Sequence, residues 1–449
     1  MHAGSHILHR RIGGSLPVVA RGSGVYIIDR EGNSYLDASG GAAVSCLGHS
    51  HPRIIKAIKD QVDCIAFAHT GSFTSEPAES LADHLIQRAP PGINHVYFVS
   101  GGSEAVESAL KIARQYFLEK GQQQRSKFIA RRQSYHGNTL GALAVGGNLW
   151  RKQQFEPILI DSGHISPCYA YRDKAPFETA MEYGRRIADE LDAKVRALGP
   201  ENVIGFIAEP VVGATAGALV PVPGYFKRVR EICDRHGILL ILDEVMCGMG
   251  RTGSLFACEQ DNVVPDIITI AKGLGAGYQP IGAMLCSAEI FAAIRDGSGF
   301  FQHGHTYMGH ATGCAAALAV LETIDEEGLL QNTLTMGALL ESALHERFDN
   351  HPNIGDIRGR GLLRGLEIVA DRSTREPLDP DLAIHHSIKR HSMKQGLMCY
   401  PSGGTIDGRR GNHILLAPPF ILEEQHVMEI VSKLADAVDS ALKDVGVLK

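Results

Sequence analysis

An α/β fold with a mostly parallel central sheet is predicted for this chain on two observations. Between about residues 55 and 320, short apolar runs alternate with helical stretches; the runs are V-Y-F-V-S, K-F-I-A, V-I-G-F-I-A-E, I-L-L-I-L-D, I-I-T-I and I-G-A-M-L-C. They are apolar throughout rather than at every second residue, the pattern of strands buried on both faces beneath covering helices. At 449 residues the chain is long enough for one large domain and a smaller one, each with a substantial core.

The elements follow in chain order. G-V-Y-I-I-D-R-E-G-N-S-Y-L-D reads as two strands about a turn at Glu31, Gly32 and Asn33. This hairpin assigns residues 1–54 to the smaller domain, while residues 55–325 form the large α/β domain that carries the apolar runs. Residues 326–449 return to the smaller, α+β domain. There, two long helical patterns precede a strand pair near G-L-L-R-G-L-E-I-V and H-I-L-L-A-P-P. A final helix aligns Val427, Ile430, Val431, Leu434, Val438 and Leu442 on one stripe. With no internal repeat or low-complexity linker, the two domains are expected to share a close interface.

Composition narrows the function. Charged residues make up 21% of the chain and the net charge is -6, so no broad basic field awaits a nucleic acid backbone. Nine cysteines, an odd number at scattered positions, show neither a disulfide framework nor metal-ligand spacing, which fits a reducing cytoplasm. The start, M-H-A-G-S-H-I-L-H-R, lacks the apolar stretch of a signal peptide, and no apolar run approaches the roughly 20 residues that span a bilayer.

The chemistry concentrates at the ends of the runs. Lys272 closes one of them in I-I-T-I-A-K-G-L-G, and Asp243 closes its predecessor in I-L-L-I-L-D-E-V. Two charges at buried strand ends must be desolvated and paired, which makes them a poor way to build a core. They make a good pyridoxal phosphate site, where an amine forms a Schiff base with the aldehyde and an acid keeps the pyridine nitrogen protonated. Both stand at carboxyl ends of parallel strands, where open α/β sheets hold ligands. The structural alternative is a salt bridge. Val245 and the glycine-rich G-M-G-R-T-G and G-L-G-A-G around the pair favour close packing about a cofactor.

Other motifs carry weaker signals. In S-G-G-S-E-A-V-E-S-A-L-K, a strand delivers Gly102 and Ser103 to a helix with apolar positions Val106, Leu110, Ala113 and Phe117. Free amides at such an N-terminus can bind phosphate, although a plain glycine turn before a capped helix has the same appearance. Tyr135, in R-R-Q-S-Y-H-G-N, is expected to close a strand and offers a ring to stack on a flat cofactor, or simply a core tyrosine. Glu209 ends V-I-G-F-I-A-E-P as a carboxylate behind the site or a solvated strand end. G-M-G-R-T-G, from Gly248 to Gly253, matches the dinucleotide fingerprint and supports a rival nicotinamide-dependent dehydrogenase. That fingerprint should open into an amphipathic helix, and R-T-G-S-L-F-A-C-E-Q-D-N does not hold helical periodicity. His303, His305, Thr306 and His310, in F-F-Q-H-G-H-T-Y-M-G-H, lack the partners of a zinc site and read as loop histidines with a hydroxyl donor to a phosphate.

Together these motifs resemble the class III, or omega, aminotransferases among the fold type I pyridoxal phosphate enzymes, from the N-terminal hairpin to the last helix. The resemblance implies that Lys272 forms the Schiff base, Asp243 pairs with the pyridine nitrogen, and Gly102 and Ser103 bind the phosphate. Tyr135 and Val245 would hold the two faces of the ring, with Glu209 among the cofactor contacts. Thr306 would reach the phosphate in a neighbouring subunit, implying an obligate homodimer with sites at the interface, or a dimer of dimers. The implied reaction moves an amino group from a small-molecule donor to a keto acid by a ping-pong route, with Lys272 shuttling the α-proton.

Departures from the family pattern bear on substrate. Members that use 2-oxoglutarate commonly carry a glutamate gate five residues beyond the glutamate of the E-P motif, and an arginine before the late proline motif. Here those places hold Ala214 and Leu415. This aliphatic pattern resembles the omega-amino acid:pyruvate branch, in which a mobile arginine can bind a carboxylate. Arg409 and Arg410, in D-G-R-R-G-N, are candidates, with a solvated turn as their alternative. Residues 40–49 are small where many members of that branch place a bulky aromatic, which points to a donor pocket that is roomier or reshaped elsewhere. Class III decarboxylases and racemases remain alternatives, as does a catalytically silent protein that uses the fold for interaction.

Overall fold

Three short strands open the fold, β1 (Val19–Ser23), β2 (Tyr26–Asp29) and β3 (Ser34–Asp37), in a computed structural model that describes residues 6–10, 12 and 16–448. Residues 1–5 of the N-terminal stretch read for a leader lie outside the described residues. The β2–β3 hairpin is the predicted one. Its turn is held by Asp29, whose carboxylate accepts from the N–H groups of Glu31 and Asn33 at 3.0 and 2.8 Å. The extra strand β1 has almost wholly exposed side chains, so it left no apolar pattern to read.

The six apolar runs all become strands of one seven-stranded sheet. Its members are β4 (Ile93–Val99), β5 (Lys127–Arg131), β6 (Gly163–Ile165), β7 (Val203–Ala208), β8 (Leu239–Asp243), β9 (Ile267–Ile270) and β10 (Gly282–Ser287). They lie in the order β4-β10-β9-β8-β7-β5-β6. The pairs from β9 to β6 are parallel, and β10 is antiparallel to both its neighbours. The uniform apolarity has a direct cause in side-chain direction. On β8, Leu240 and Leu242 enter one hydrophobic cluster while Leu239 and Ile241 enter another on the opposite face. The helix Gly102–Glu119 covers the second face with Val106, Leu110, Ala113 and Phe117. Helices Ala180–Leu198 and Tyr225–His236 cover the first. β6, at three residues, is too short to register as a run.

The remaining strands are β11 (Ile354–Arg360), β12 (Leu363–Ile368), β13 (Leu397–Met398), β14 (Tyr400–Gly403) and β15 (Asn412–Leu416). β12 and β15, the predicted strand pair, lie at the centre of an antiparallel sheet ordered β11-β12-β15-β14. β13 instead pairs in parallel with β3, so segments from the two ends of the chain share one sheet. The helices Leu329–Phe348, Ile384–Lys394 and Glu424–Asp444 contribute to the core beside these sheets. All six residues of the stripe predicted for the last helix are buried, each worth roughly 1.5–3 kcal/mol over exposure.

Candidate active site

Parallel pairing brings the ends of β7, β8 and β9 side by side, with Ala208 opposite Leu242 and Asp243 opposite Thr269. Glu209 follows β7, Asp243 ends β8, and Lys272 stands two residues beyond β9. All three line a cavity of about 450 Å3 at this edge of the sheet, the position at which open α/β sheets bind ligands. Gly102, Ser103, Tyr135 and Val245 line the same cavity.

Asp243 is braced on both oxygens. Oδ1 accepts from the Val245 N–H at 3.1 Å and the Thr269 hydroxyl at 3.2 Å, and Oδ2 lies 2.7 Å from His136 Nδ1. The other ring nitrogen of His136, Nε2, is buried without a partner. Glu209 accepts from the N–H groups of Tyr135 and Gly213 at 3.0 and 2.9 Å. Burial raises its pKa; His136 opposes the rise, and the nearby Asp243 adds to it. Burial lowers Lys272 from the ordinary 10.5 to about 8, against the pull of Asp243 and Glu209. Part of its population is therefore a neutral amine near neutral pH. The Lys272 backbone has φ 47°, a left-handed conformation that is costly for a residue with a side chain. Such strain persists where the surroundings over-determine it, often at functional sites.

The start of a helix also lines the cavity. Gly101 precedes the helix Gly102–Glu119 and no side chain caps that end, which leaves the first-turn amides without intrahelical acceptors. The Ser103 hydroxyl donates to Asn138 Oδ1 at 2.8 Å and accepts from the Asn138 N–H at 3.1 Å. A Cβ on Gly102 would come within 2.7 Å of Val245 Cγ1, so glycine is what lets the valine close on the cavity.

Seven of the predicted site residues thus converge, and three do not. Thr306 is exposed and does not line the cavity of this chain. Arg409 and Arg410 are exposed on a turn tied by Asp407, which accepts from both backbone N–H groups and pairs with Arg410 Nε at 2.7 Å. Tyr135 needs a correction of position, because β5 ends at Arg131 and the tyrosine sits in the following loop. Gln133 at φ 57° turns the chain, and the Ser134 hydroxyl donates back to Arg131 O at 2.8 Å. At the two gate positions, Ala214 lines the cavity and Leu415 is buried on β15. Val44, from the small-residue segment 40–49, also lines it.

His136 went unnoticed in the sequence. It adjoins Tyr135, but its partner Asp243 is 107 residues away, a pairing that only the sheet creates. The dinucleotide fingerprint fails structurally, since turns and a short 3-10 segment, Ala257–Asp261, follow it in place of a helix. Its Arg251 is buried and donates to Leu362 O and Pro418 O. His303 Nε2 lies 3.0 Å from the Ser108 hydroxyl, and the His310 ring accepts from the Gly313 N–H. Among the described residues, no group of three or more His, Cys, Asp or Glu residues can hold a metal ion. None of the helices among them is long and apolar enough to cross a membrane.

The family model for "Aminotransferase class-III" matches residues 10–438. An uncharacterized aminotransferase of Schizosaccharomyces pombe is 44% identical over 427 residues, covering 95% of this chain and 93% of the relative. The uncharacterized aminotransferase YodT of Bacillus subtilis is 40% identical over 440 residues, covering 98% and 99%. The crystal structure of an omega transaminase from Pseudomonas jessenii in complex with PMP superposes with a TM-score of 0.90 at 34% identity, covering 96% of this chain and 94% of that one.

Proposed function

Because this chain belongs to the class III aminotransferases, pyridoxal phosphate enzymes of fold type I, we propose that it moves an amino group from an omega-amino acid or amine to a keto acid, pyruvate. The cavity residues fit the cofactor. Lys272 offers the amine for its aldehyde, Asp243 the carboxylate for its ring nitrogen, and the Gly102–Ser103 helix end the amides for its phosphate. Tyr135 and Val245 supply the flat and branched surfaces for the ring faces, with Glu209 behind. When bound, pyridoxal phosphate supplies the carbonyl that takes up the amino group and the electron sink that acidifies the donor's α-proton.

The protein's own groups do the rest. Lys272, lowered to about 8, keeps a fraction of its Nζ neutral near neutral pH, and that fraction can take the donor's α-proton and return it one carbon along. Asp243, fixed by Thr269 and His136, would hold the cofactor's ring nitrogen. Glu209 fixes the backbone at Tyr135, and so the ring that packs on the site. One cavity serves donor and acceptor in turn, so the kinetics are ping-pong. The observation that carries this reading is Lys272 with a lowered pKa beside a His136-braced Asp243 on adjacent strand ends.

The omega-amino acid branch is supported by the omega transaminase likeness and by aliphatic Ala214 and Leu415 where a carboxylate gate would stand. A homodimer, with Thr306 completing the partner's phosphate site, is supported by the exposure of Thr306 outside its own chain's cavity. All nine cysteines are free and eight are buried, which supports a reducing cytoplasm. The β3–β13 pairing supports a small domain built from residues 1–54 and 326–449 around the large domain of residues 55–325.

The test is an absorption spectrum of the purified protein, followed by β-alanine, 4-aminobutyrate, a diamine, taurine and 1-phenylethylamine in turn, without a keto acid. A violet-edge band that shifts to the pyridoxamine form identifies the donor class. Carbon dioxide release or return of the original band with racemised donor would make it a decarboxylase or a racemase instead.

A further inference from the structure

We propose that Arg151 binds the distal acid group of the donor, a carboxylate or sulfonate, and so selects acid-bearing donors over plain amines. This inference rests on the aminotransferase reading. The amino end of a donor must sit at Lys272, so the acid end of an omega-amino acid points away from it, toward the cavity mouth. A desolvated acid needs a counter-charge, yet Lys272 is the sole lysine or arginine among the described residues lining the cavity. If this chain supplies the cation, it stands just outside the wall.

Arg151 stands there. Its guanidinium carbon lies 4.8 Å from the centroid of the Tyr135 ring, and Tyr135 lines the cavity. Among the described residues, no carboxylate lies within 4.0 Å of its charged atoms. Stacking uses the face of a guanidinium and leaves its N–H edge free for a bidentate acid. Of the neighbouring cations, Lys152 donates to Ala144 O at 2.7 Å and Arg410 is paired with Asp407, while Arg409 is exposed on its turn and, unlike Arg151, stacks on no cavity-lining ring among the described residues.

The position of Arg151 is built. It lies on the short helix Leu149–Lys152, whose first turn is capped by Asn148 accepting from the Arg151 N–H at 3.2 Å. The Asn148 amide donates to Gln133 Oε1 at 3.2 Å, and the buried Gln133 donates to Gly404 O and Thr405 O at 2.6 and 2.8 Å. A Cβ on Gly147 would fall 2.0 Å from Arg131 O, so the backbone leading to Arg151 lies directly on the strand end that leads to Tyr135. Arg151 and the Tyr135 ring are thus held in a common frame.

The experiment compares holoenzyme half-reactions of wild type, Arg151→Ala, Arg151→Gln and Arg151→Lys with β-alanine, taurine and 1-phenylethylamine. Losing a charge-assisted contact should raise the apparent Kd for β-alanine and taurine by about 10- to 100-fold in Arg151→Ala and Arg151→Gln. That for 1-phenylethylamine should stay within about 3-fold, and Arg151→Lys should recover part of the loss. The chain's single tryptophan, Trp150, adjoins the site, with the Arg151 guanidinium 5.9 Å from its ring. Its fluorescence should therefore report saturable binding of unreactive propionate and propanesulfonate in wild type but not in Arg151→Ala. An equal effect on all donors in Arg151→Gln, which keeps a planar group against Tyr135, or a fluorescence response that survives Arg151→Ala, overturns the proposal. If wild type reacts with no donor the aminotransferase reading falls, while the propionate titration still judges Arg151 alone.

Discussion

Two of this molecule's clusters of buried charge are completed in opposite ways. On β12, Glu367 accepts from Tyr169, from Arg172 Nε at 2.6 Å and from Arg358 Nη1 at 2.6 Å. Arg358 spends its other N–H groups on Asp356, Gly217 O and Ala216 O at 2.6, 2.9 and 2.7 Å. Burial alone would raise Glu367, yet Arg358 and Arg172 hold it below the usual carboxylate range. Around Lys272 the balance is reversed. Burial wins there, lowering the amine to about 8 and raising Glu209, and His136 Nε2 has no partner. A charge cluster closed by its own partners is a structural device, whereas one that burial pushes away from its ordinary ionisation awaits a ligand or a reaction.

The sharpest test of that contrast removes the amine. Lys272→Ala should slow the donor half-reaction by at least about 10^4-fold, since it removes both covalent attachment and the proton carrier. Single-turnover absorbance measures this. A variant retaining a tenth of the activity would show that Lys272 is as structural as Arg358.

Next in size is Glu367→Ala, which strands Arg358 and Arg172 and should cost about 3–5 kcal/mol in denaturant unfolding. Cofactor affinity of the folded fraction should be unchanged. Because the Glu367 pKa is depressed on folding, its contribution is complete above the unfolded value of about 4.5 and is lost as pH falls through the folded value. The stability gap between wild type and variant should therefore be flat near neutrality and narrow in acid. A gap that grows in acid contradicts the closed-cluster account.

The open cluster predicts the opposite sign. In the cofactor-free protein, Lys272→Met should increase stability, because a buried ammonium is removed. Folding lowers this pKa from 10.5 to about 8, so the wild-type penalty is full below pH 8 and disappears as pH rises toward 10.5. At about 1.4 kcal/mol per unit, the ceiling on the gain is about 3 kcal/mol near pH 7. Thermal unfolding of the two cofactor-free proteins at pH 7 and pH 10 checks it; a destabilised Lys272→Met at pH 7 overturns it.

How far these clusters can be read from sequence follows from what makes each one. Lys272, Asp243 and Glu209 were legible because a charge at the end of an unbroken apolar run is conspicuous, and parallel strands must put such ends together. The same logic recovered six strands of the central sheet and missed β6, which is too short to form a run. Glu367 sits inside the run G-L-E-I-V, and nothing in that run announces that Arg172 and Tyr169, nearly 200 residues earlier, will meet it. Tyr135 was identified but placed on a strand, because the left-handed turn at Gln133 is not written in its residue type. Arg409, Arg410 and the partner-site role of Thr306 entered through family resemblance, and the turn tied by Asp407 explains why the two arginines stand outside this cavity.

His136 gives the smallest effect and the finest test. Its Nδ1 meets Asp243 at 2.7 Å, so it can act on the reaction through the carboxylate or merely fill space beneath it. If it acts through Asp243, His136→Ala should slow the half-reaction by about 10-fold, the low end for a hydrogen bond to a charged group. His136→Gln, which keeps an N–H donor, should recover part of that rate. A packing role predicts instead that both variants lose stability and neither loses rate per folded molecule. In that case the open cluster would be confined to Lys272, Asp243 and Glu209, and His136 would belong with the closed, structural kind of pairing that surrounds Glu367.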